Sequence, residues 1–359
     1  MQEIRKHTES IPQSTTNRWY FAGLSGGVVL LFLVNLALGS VDIPVDEIIV
    51  ILLGEGATHE SWTKIVLNIR LPRALTAIFA GSALSIGGLL MQTLFRNPLA
   101  GPSVLGITAG ASLGVAVVML ATGTITSIFA IQQLSSVGSW IIAAAASVGS
   151  FAVLLLILAI SVRIRDNVTL LIIGLMIANI TIALVSIWQY FSEPEQIQDY
   201  LIWTFGSLGG VTMSQISILF VIITIGTGIA FLLSKSLNGL LLGENYARSM
   251  GIAVQQSRIW IIISTSLLAG SITAFCGPIG FVGIAVPHLT RSLLGTNDHR
   301  MLIPSTFLMG AILMLACDII AQVPGSSTTL PISAVTSLVG SPVVVWVIVQ
   351  RKNLQASFS

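Results

Sequence analysis

The amino-acid sequence predicts an all-α integral membrane protein with about ten transmembrane helices, because of its composition, its long apolar stretches and the placement of its charges. The chain has 359 residues, 54% of them hydrophobic and 8% charged, and its mean hydropathy is +0.94. A soluble domain has about 25% charged residues, so this composition belongs in a bilayer. The net charge of +2 gives no indication of a nucleic-acid partner.

Apolar stretches follow one another along the chain, and one crossing takes about 20 such residues. In chain order they are residues 19–39, 74–94, a Gly/Ala/Ser-rich segment ending near 120, 139–162, 170–191, 212–233, 259–276, 277–294, 302–321 and 330–349. The first is longer than the apolar part of a signal peptide and has no small-residue cleavage site, so we expect it to be retained. The chain is then one transmembrane domain, residues 19–350, between polar tails at 1–18 and 351–359.

Two shorter intervals are expected to lie at the membrane surface. Residues 45–53 form a possible amphipathic helix in the polar interval after the first span. Residues 203–210 are too short to cross the bilayer and are predicted to be interfacial or re-entrant.

The distribution of Lys and Arg predicts that both termini lie in the cytoplasm. With that orientation, thirteen of the 16 basic residues fall on the inner side and three on the outer side, which satisfies the positive-inside rule. The inner residues are Arg5, Lys6, Arg18, Arg96, Arg163, Arg165, Lys235, Arg248, Arg258, Arg291, Arg300, Arg351 and Lys352. The outer residues are Lys64, Arg70 and Arg73.

Residues 234–258 are the one substantial polar interval in the second half of the chain, and this orientation places them in the cytoplasm. Ser236 or Asn238 can cap a first short helix, because short polar side chains accept hydrogen bonds from free N–H groups. Gly243 is expected to break that helix. A compact pair of helices between spans indicates a docking site for a partner; the alternative is a loop that only folds back on its own bundle.

The second helix of this interval is predicted to run over residues 244–250 and to end at Gly251, which can adopt a left-handed conformation. Glu244 lies in its first turn, where the helix dipole favours an anion. It can also reach Arg248 at the i+4 position.

Two arginines flank Pro72 at the outer end of the second span. Arg70 and Arg73 are predicted to face carboxylates of an external partner, since Arg binds a carboxylate with planar, bidentate geometry. Pro72 suits the first turn of a helix and would hold them rigidly. The alternative is ordinary placement of long basic side chains at a membrane interface.

The eighth span contains glycines and prolines that a regular lipid-facing helix does not tolerate. Gly277, Pro278, Gly280 and Gly283 predict a broken backbone at membrane depth, followed by Pro287. Such a break is stable only where it packs within protein or lines a cavity, so these residues are candidates for the translocation path.

Two further polar residues in apolar surroundings are expected to be structural. His288 has no carboxylate near it in the sequence, so contact with the backbone is favoured over a proton relay. Asp318 is the one acidic residue inside an apolar stretch, near its outer end. Intramembrane carboxylates are functional candidates, but a structural hydrogen bond is the favoured role here.

A weak internal repeat aligns residues 80–87, AGSALSIG, with residues 269–276, AGSITAFC. The predicted spans that contain these segments run in opposite directions, so the repeat would be inverted. Inverted repeats are frequent in transporters.

No catalytic, metal-binding or nucleotide-binding motif was found. The four histidines lack ligand spacing, Cys276 and Cys317 are far apart, and there is no phosphate-binding loop. The sequence therefore predicts no enzyme activity, no metal site and no cofactor. An ion-coupled secondary transporter, the competing class, would need carboxylates deep in several spans.

Four ordered blocks, residues 70–114, 237–254, 277–304 and 330–352, resemble the FecCD family of ABC importer permeases. They include RLPRALTAIFAGSALSIGG, LNGLLLGENYARSMGIAV, GPIGFVGIAVPHLTRSLL and LPISAVTSLVGSPVVVWVIVQRK. The resemblance implies ten spans as in the cobalamin permease, a dimer of permeases in a bacterial cytoplasmic membrane, two ATPase subunits inside and one substrate-binding protein outside. It also implies a cargo that is a ferric siderophore, haem or cobalamin.

The resemblance also implies roles for individual residues. The coupling helices of the family correspond to residues 237–254, so that an ATPase groove would receive Leu240, Gly243, Glu244, Ala247, Arg248 and Gly251. Arg70 and Arg73 correspond to the arginines that bind acidic residues of the binding protein.

The chain differs from the cobalamin permease at two positions. An arginine after the aspartate of the ninth span and a glutamate before the tenth span are here Gln322 and Thr329. One docking charge is therefore missing, and we expect the second permease subunit to be a non-identical homologue. The expected function is import of an iron–siderophore complex, or a related bulky chelate, driven by a separate ATPase.

Overall fold

The computed structural model describes residues 13–39, 41, 43–54, 58–121, 137–164, 166–323 and 328–356. These residues form fifteen α-helices. In chain order they are α1 (Gln13–Ala37), α2 (Val45–Leu52), α3 (Glu60–Ile65), α4 (Leu71–Leu94), α5 (Ile107–Ala116), α6 (Val137–Arg163), α7 (Asn167–Phe191), α8 (Pro194–Thr204), α9 (Met213–Leu232), α10 (Ser234–Leu241), α11 (Glu244–Ser249), α12 (Val254–Cys276), α13 (Val282–Leu294), α14 (His299–Ala321) and α15 (Ile332–Ala356). A 3-10 turn precedes α5, and π-helical turns, Val66–Arg70 and Val117–Ala121, join α3 to α4 and extend α5.

The predicted fold class is confirmed. Seven helical segments of the described residues are long and apolar enough to cross a membrane. Two shorter apolar helices, Ile107–Leu120 and Ile332–Trp346, and the 13-residue α13 correspond to the other predicted spans, so a count of ten is compatible with the structure.

Helix α4 lies at the centre of the bundle and packs against α9, α12, α13 and α14. Its small side chains allow this, because helices in a membrane associate mainly through close van der Waals packing. A Cβ atom added to Gly81 would lie 2.1 Å from the carbonyl oxygen of Gly310, and one added to Gly88 would lie 1.7 Å from that of Gly283. The backbones of these helices are therefore in direct contact.

The hydrogen bonds between helices define two ends of the bundle. At one end Asn167 donates to the carbonyl of Leu94, which ends α4, and to Glu244, whose carboxylate also accepts from Arg258 near the start of α12. At the other end the carbonyl of Cys276, which ends α12, accepts from the N–H of Ser207, while Arg73 in the first turn of α4 lies near Gly209. Helices α4 and α12 thus run in opposite directions, as the predicted inverted repeat requires.

Local structure differs from the prediction at two places. The helix that contains Pro72 does not begin there, because the chain is helical from Glu60 through a π-helical turn. Residues 203 and 204 belong to the end of α8, which has a reciprocal cap between Glu193 and Gln196 at its start, and residues 205–210 follow as a non-helical loop; an interfacial or re-entrant position stays a prediction. The amphipathic helix expected at residues 45–53 is present as α2.

Replacing Gly88 with Ala tests the central packing. The added methyl group would clash with the backbone of α13, and overpacking of this kind costs about 3 kcal/mol of folding free energy. We expect Gly88→Ala to lower the melting temperature of the detergent-solubilised protein measured by differential scanning fluorimetry. Gly228→Ala on α9 is the matched control, since its Cβ would meet no atom within 4 Å. Equal melting temperatures for the two variants would contradict this packing.

Candidate functional site

The polar interval 234–258 forms two short helices, as predicted. The break is at Gly243, with φ +108°, and the second helix is followed by Gly251, with φ +80°. Both angles lie where glycine has no steric penalty. The predicted cap is wrong: α10 begins at Ser234, directly after Leu233, so Ser236 and Asn238 lie within the helix and not before it.

Asn238 instead joins α10 to the start of α14. Its Nδ2 donates to Asp298 Oδ1 at 2.7 Å, and its Oδ1 accepts from the backbone N–H and Nδ1 of His299 at 2.9 and 2.8 Å. The side chain of Asp298 also caps α14 by accepting from the N–H of Arg300. These hydrogen bonds, that from Asn238 above all, lower the pKa of Asp298. On its other side the His299 ring contacts the Thr93 hydroxyl near the end of α4 at 2.8 Å.

Glu244 is the main anchor of α11. Its carboxylate accepts from Arg258 Nη2 at 2.8 Å and from Asn167 Nδ2 at 2.7 Å, and it makes the predicted i+4 pair with Arg248 at 3.3 Å. Arg258 is 1% exposed and also donates to the carbonyl of Ile164 at 3.0 Å. One carboxylate therefore links α11 to α12 and to the junction of α6 and α7. The i, i+4 rule for helices predicted the contact of Glu244 with Arg248. It could not predict the contact with Arg258, which lies fourteen residues further along the chain.

The helix pair exposes three large apolar side chains. Leu242 follows the end of α10, and Tyr246 and Met250 lie four residues apart in and directly after α11; they are 61%, 53% and 49% exposed. Leu240 and Ala247, by contrast, are buried within the chain. We therefore correct the expectation for these two: their side chains hold the pair against the bundle and are not available to a groove in a partner. The i, i+4 spacing of Tyr246 and Met250 was the signal that sequence analysis missed.

Arg70 does not face outward. Its side chain is buried, and the guanidinium donates to the carbonyl oxygens of Leu36, at 2.6 Å, of Ala37, at 2.8 Å, and of Val41. An arginine that satisfies the free carbonyls at the end of α1 cannot offer the same N–H groups to an external carboxylate. The outward position expected for Arg70 is therefore wrong.

Arg73 forms a buried ion pair with Asp318. Its Nε and Nη2 atoms both lie 2.9 Å from Asp318 Oδ1, and Asp318 Oδ2 also accepts from Asn35 and Gln322. The structural role expected for Asp318 is confirmed, and the cluster ties α1, α4 and α14 together at one end. Docking of a binding protein on Arg73 stays a prediction.

The broken helix is present where the glycines predicted it. Helix α12 ends at Cys276, Gly277 has φ +74°, and α13 begins at Val282. Pro278 and Gly280 lie in the non-helical stretch, and Gly280 is exposed. This stretch packs against the loop after α8, where Ser207 donates to the Cys276 carbonyl at 2.8 Å.

The buried residues after the break serve packing. Gly283 contacts the backbone of α4, and Pro287 is buried inside α13. His288 contacts the carbonyl oxygen of Pro98 at 2.7 Å, so the backbone contact expected for this histidine is confirmed. A role of the broken helix in the translocation path stays a prediction.

The described residues contain no group of three or more His, Cys, Asp or Glu side chains placed to hold a metal ion. The apolar bundle, its broken helix and the anchored polar helix pair at one end define a multi-pass membrane protein of the transport type. A model of the FecCD transport family matches residues 27–350, so the chain belongs to that family and is a permease subunit of an ABC importer.

Individual relatives agree with this family over nearly the whole chain. The hemin transport system permease protein HmuU of Yersinia pestis is 34% identical over 328 residues, which cover 91% of this chain and 96% of that protein. The vitamin B12 import system permease protein BtuC of Klebsiella pneumoniae is 32% identical over 344 residues, with coverage of 96% and 97%. A solved structure, described as an inward-facing conformation of a metal-chelate type ABC transporter, superposes with a TM-score of 0.79 at 28% identity, covering 93% of this chain and 99% of that one.

Replacing Glu244 with Ala tests the anchor. The change leaves the buried Arg258 without its carboxylate, and breaking a buried ion pair costs about 3 kcal/mol. We expect a clear loss of thermal stability in detergent. The matched control is Glu60→Ala, which removes the exposed i+4 pair with Lys64 and should cost less than about 0.5 kcal/mol. Equal melting temperatures for the two variants would refute the role of Glu244 as an anchor.

Proposed function

We propose that the chain is the membrane-spanning subunit of an importer that carries an iron–siderophore complex or a related bulky metal chelate. Named relatives support a chelate cargo: one is a hemin permease, another a vitamin B12 permease, and the structural neighbour is of the metal-chelate type. The expected siderophore is the narrower part of this proposal. We further propose that it lies in a bacterial cytoplasmic membrane, which its family supports, with both termini inside, which the charge distribution supports.

The observation that carries the proposal is the exposed apolar face of Leu242, Tyr246 and Met250 on an otherwise polar and firmly anchored helix pair. Apolar side chains that project from a charged segment outside the apolar spans indicate a protein partner. Arg248 and Gly251 lie beside this face and are exposed as well. We propose that each of two ATPase subunits in the complex receives such a helix pair from one permease subunit.

The anchors determine where a movement of the helix pair is transmitted. Glu244 connects it to α12 and to the α6–α7 junction, and Asn238 connects it to α14. These helices pack against or lie next to α4 at the centre of the bundle. ATP-driven closure of the ATPases would then bias the whole bundle between inward-open and outward-open states, which requires only a differential stabilisation of a few kcal/mol.

At the opposite end we propose that a substrate-binding protein docks near Arg73. Its guanidinium is partly exposed and already neutralised by Asp318, so a docking carboxylate would share or replace that partner. Gln322, which stands where an arginine was expected, donates to Asp318 and adds no charge. The proposal of a non-identical second permease subunit rests on this missing cation.

An ion-coupled secondary transporter is the competing function. It would need a carboxylate that can bind and release an ion, and Asp318 is a poor candidate because Arg73, Asn35 and Gln322 occupy its oxygens.

Uptake into proteoliposomes tests the proposed function. With ATP inside, we expect uptake of a radiolabelled ferric chelate only when the permease subunits, the ATPase and the loaded binding protein are all present. Uptake of a siderophore complex but not of haem or cobalamin would support the narrower cargo. Uptake driven by a proton or sodium gradient without ATPase would favour the secondary transporter.

The apolar face is tested by Tyr246→Ala combined with Met250→Ala. Both side chains are exposed, so we expect an unchanged melting temperature but at least tenfold weaker ATPase binding, measured by surface plasmon resonance. Tyr190→Ala, which removes another exposed tyrosine near the end of α7, is the control and should bind the ATPase normally. Normal binding by the double variant would remove this face from the interface.

A further inference from the structure

A cavity of about 590 Å³ with a mixed polar and apolar lining opens beside the helix pair, between α10, the chain after α4 and the residues around the start of α14. Its lining includes two arginines, one aspartate and the end of α10. These residues are Arg96, Arg291, Asp298, Asn238, Leu241 and Leu242. Leu242 also belongs to the exposed apolar face, so the cavity is continuous with the proposed ATPase-binding surface.

Arg96 is the distinctive residue of this cavity. It is exposed, and its φ of +48° lies in the left-handed region that residues other than glycine adopt at an energetic cost. Within the described part of the chain its guanidinium has neither a hydrogen bond nor an ion pair. A Cβ atom on Gly243 would lie 3.6 Å from Arg96 Nη1, so the cation reaches the break between α10 and α11.

The second cation is held in a fixed position. Arg291 Nη1 donates to Gln92 Oε1 at 2.6 Å, and Gln92 in turn donates to the carbonyl of Ile284 at 3.1 Å. The one carboxylate in the lining, that of Asp298, is already hydrogen-bonded by Asn238 and by the first turn of α14. Two guanidinium groups against one satisfied carboxylate give the cavity a net positive charge.

We propose that this cavity is a socket for an acidic side chain of the ATPase subunit, with Arg96 as the docking cation. The inference rests on the proposed function and adds the chemistry of the contact. Apolar side chains beside a guanidinium that can pair exclude water from the contact, and the charge fixes the orientation of the partner. Continuity with the exposed Leu242 favours a protein partner over a lipid headgroup. Arg96 Nη1 lies beside the helix break, where a bound acid would also fix the angle between α10 and α11.

The test measures the affinity of the purified ATPase for the permease complex in nanodiscs at low and high salt. We expect Arg96→Glu to raise the Kd at least tenfold at low salt and to remove most of the salt dependence. Arg96→Lys should recover part of the affinity. Arg163→Glu is the matched control, because Arg163 is an exposed arginine at the same end of the bundle that does not line the cavity. Acidic residues of the ATPase can then be replaced with arginine one at a time. The replacement that restores binding to the Arg96→Glu permease would identify the partner residue.

The outcomes separate this inference from the proposed function. If the unsubstituted complex binds no ATPase, the proposed function fails. If it binds and Arg96→Glu binds equally well, the socket is refuted while the proposed function stands. An anionic lipid headgroup is tested without ATPase, in nanodiscs with and without phosphatidylglycerol. If that lipid stabilises the unsubstituted permease but not Arg96→Glu, and ATPase affinity is unchanged, the cavity binds lipid and the socket is overturned.

Discussion

Polar side chains within an apolar bundle must find their partners inside the protein, because the bilayer offers no water to replace them. The structure satisfies this constraint at both ends. Arg70 binds the carbonyls that end α1, Asp318 neutralises Arg73, and Glu244 neutralises Arg258. Each of these contacts joins segments that are distant in sequence. The requirement that no charge remain unpaired in lipid thus fixes how the helices are arranged, and close packing of small residues fills the space between the two polar clusters.

Helix α4 reaches from one polar cluster to the other. Its first turn carries Arg73, and its last turns carry Gln92 and Thr93, which contact Arg291 and His299. Between them, Gly81 and Gly88 bring the backbones of α14 and α13 into contact with it. A helix that is held by contacts at both ends and along its length moves as a rigid element. A movement of the helix pair would therefore be transmitted to the opposite end of the bundle without a separate relay of flexible side chains.

The sequence predicted what depends on local rules. Apolar length predicted the spans, and glycine positions predicted the breaks at Gly243, Gly251 and Gly277, because only glycine is unstrained at positive φ. Partners distant along the chain could not be predicted. Asn238 looked like a cap because capping is a local property, whereas its actual partners, Asp298 and His299, are brought to it by folding. Arg70 and Arg73 looked alike for the same reason, although one binds carbonyls and the other a carboxylate.

The contrast between those two arginines bears on how the two faces of the importer differ. At the end that holds Arg73, both arginines have partners within the chain, carbonyl oxygens for Arg70 and Asp318 for Arg73, and Gln322 contributes an amide where a charge was expected. At the opposite end, Arg96 has no partner within the described chain. An ionic contact that a partner makes with Arg73 must compete with Asp318. We propose that this competition keeps docking of a substrate-binding protein at Arg73 reversible, whereas Arg96 is available for the proposed contact with the ATPase.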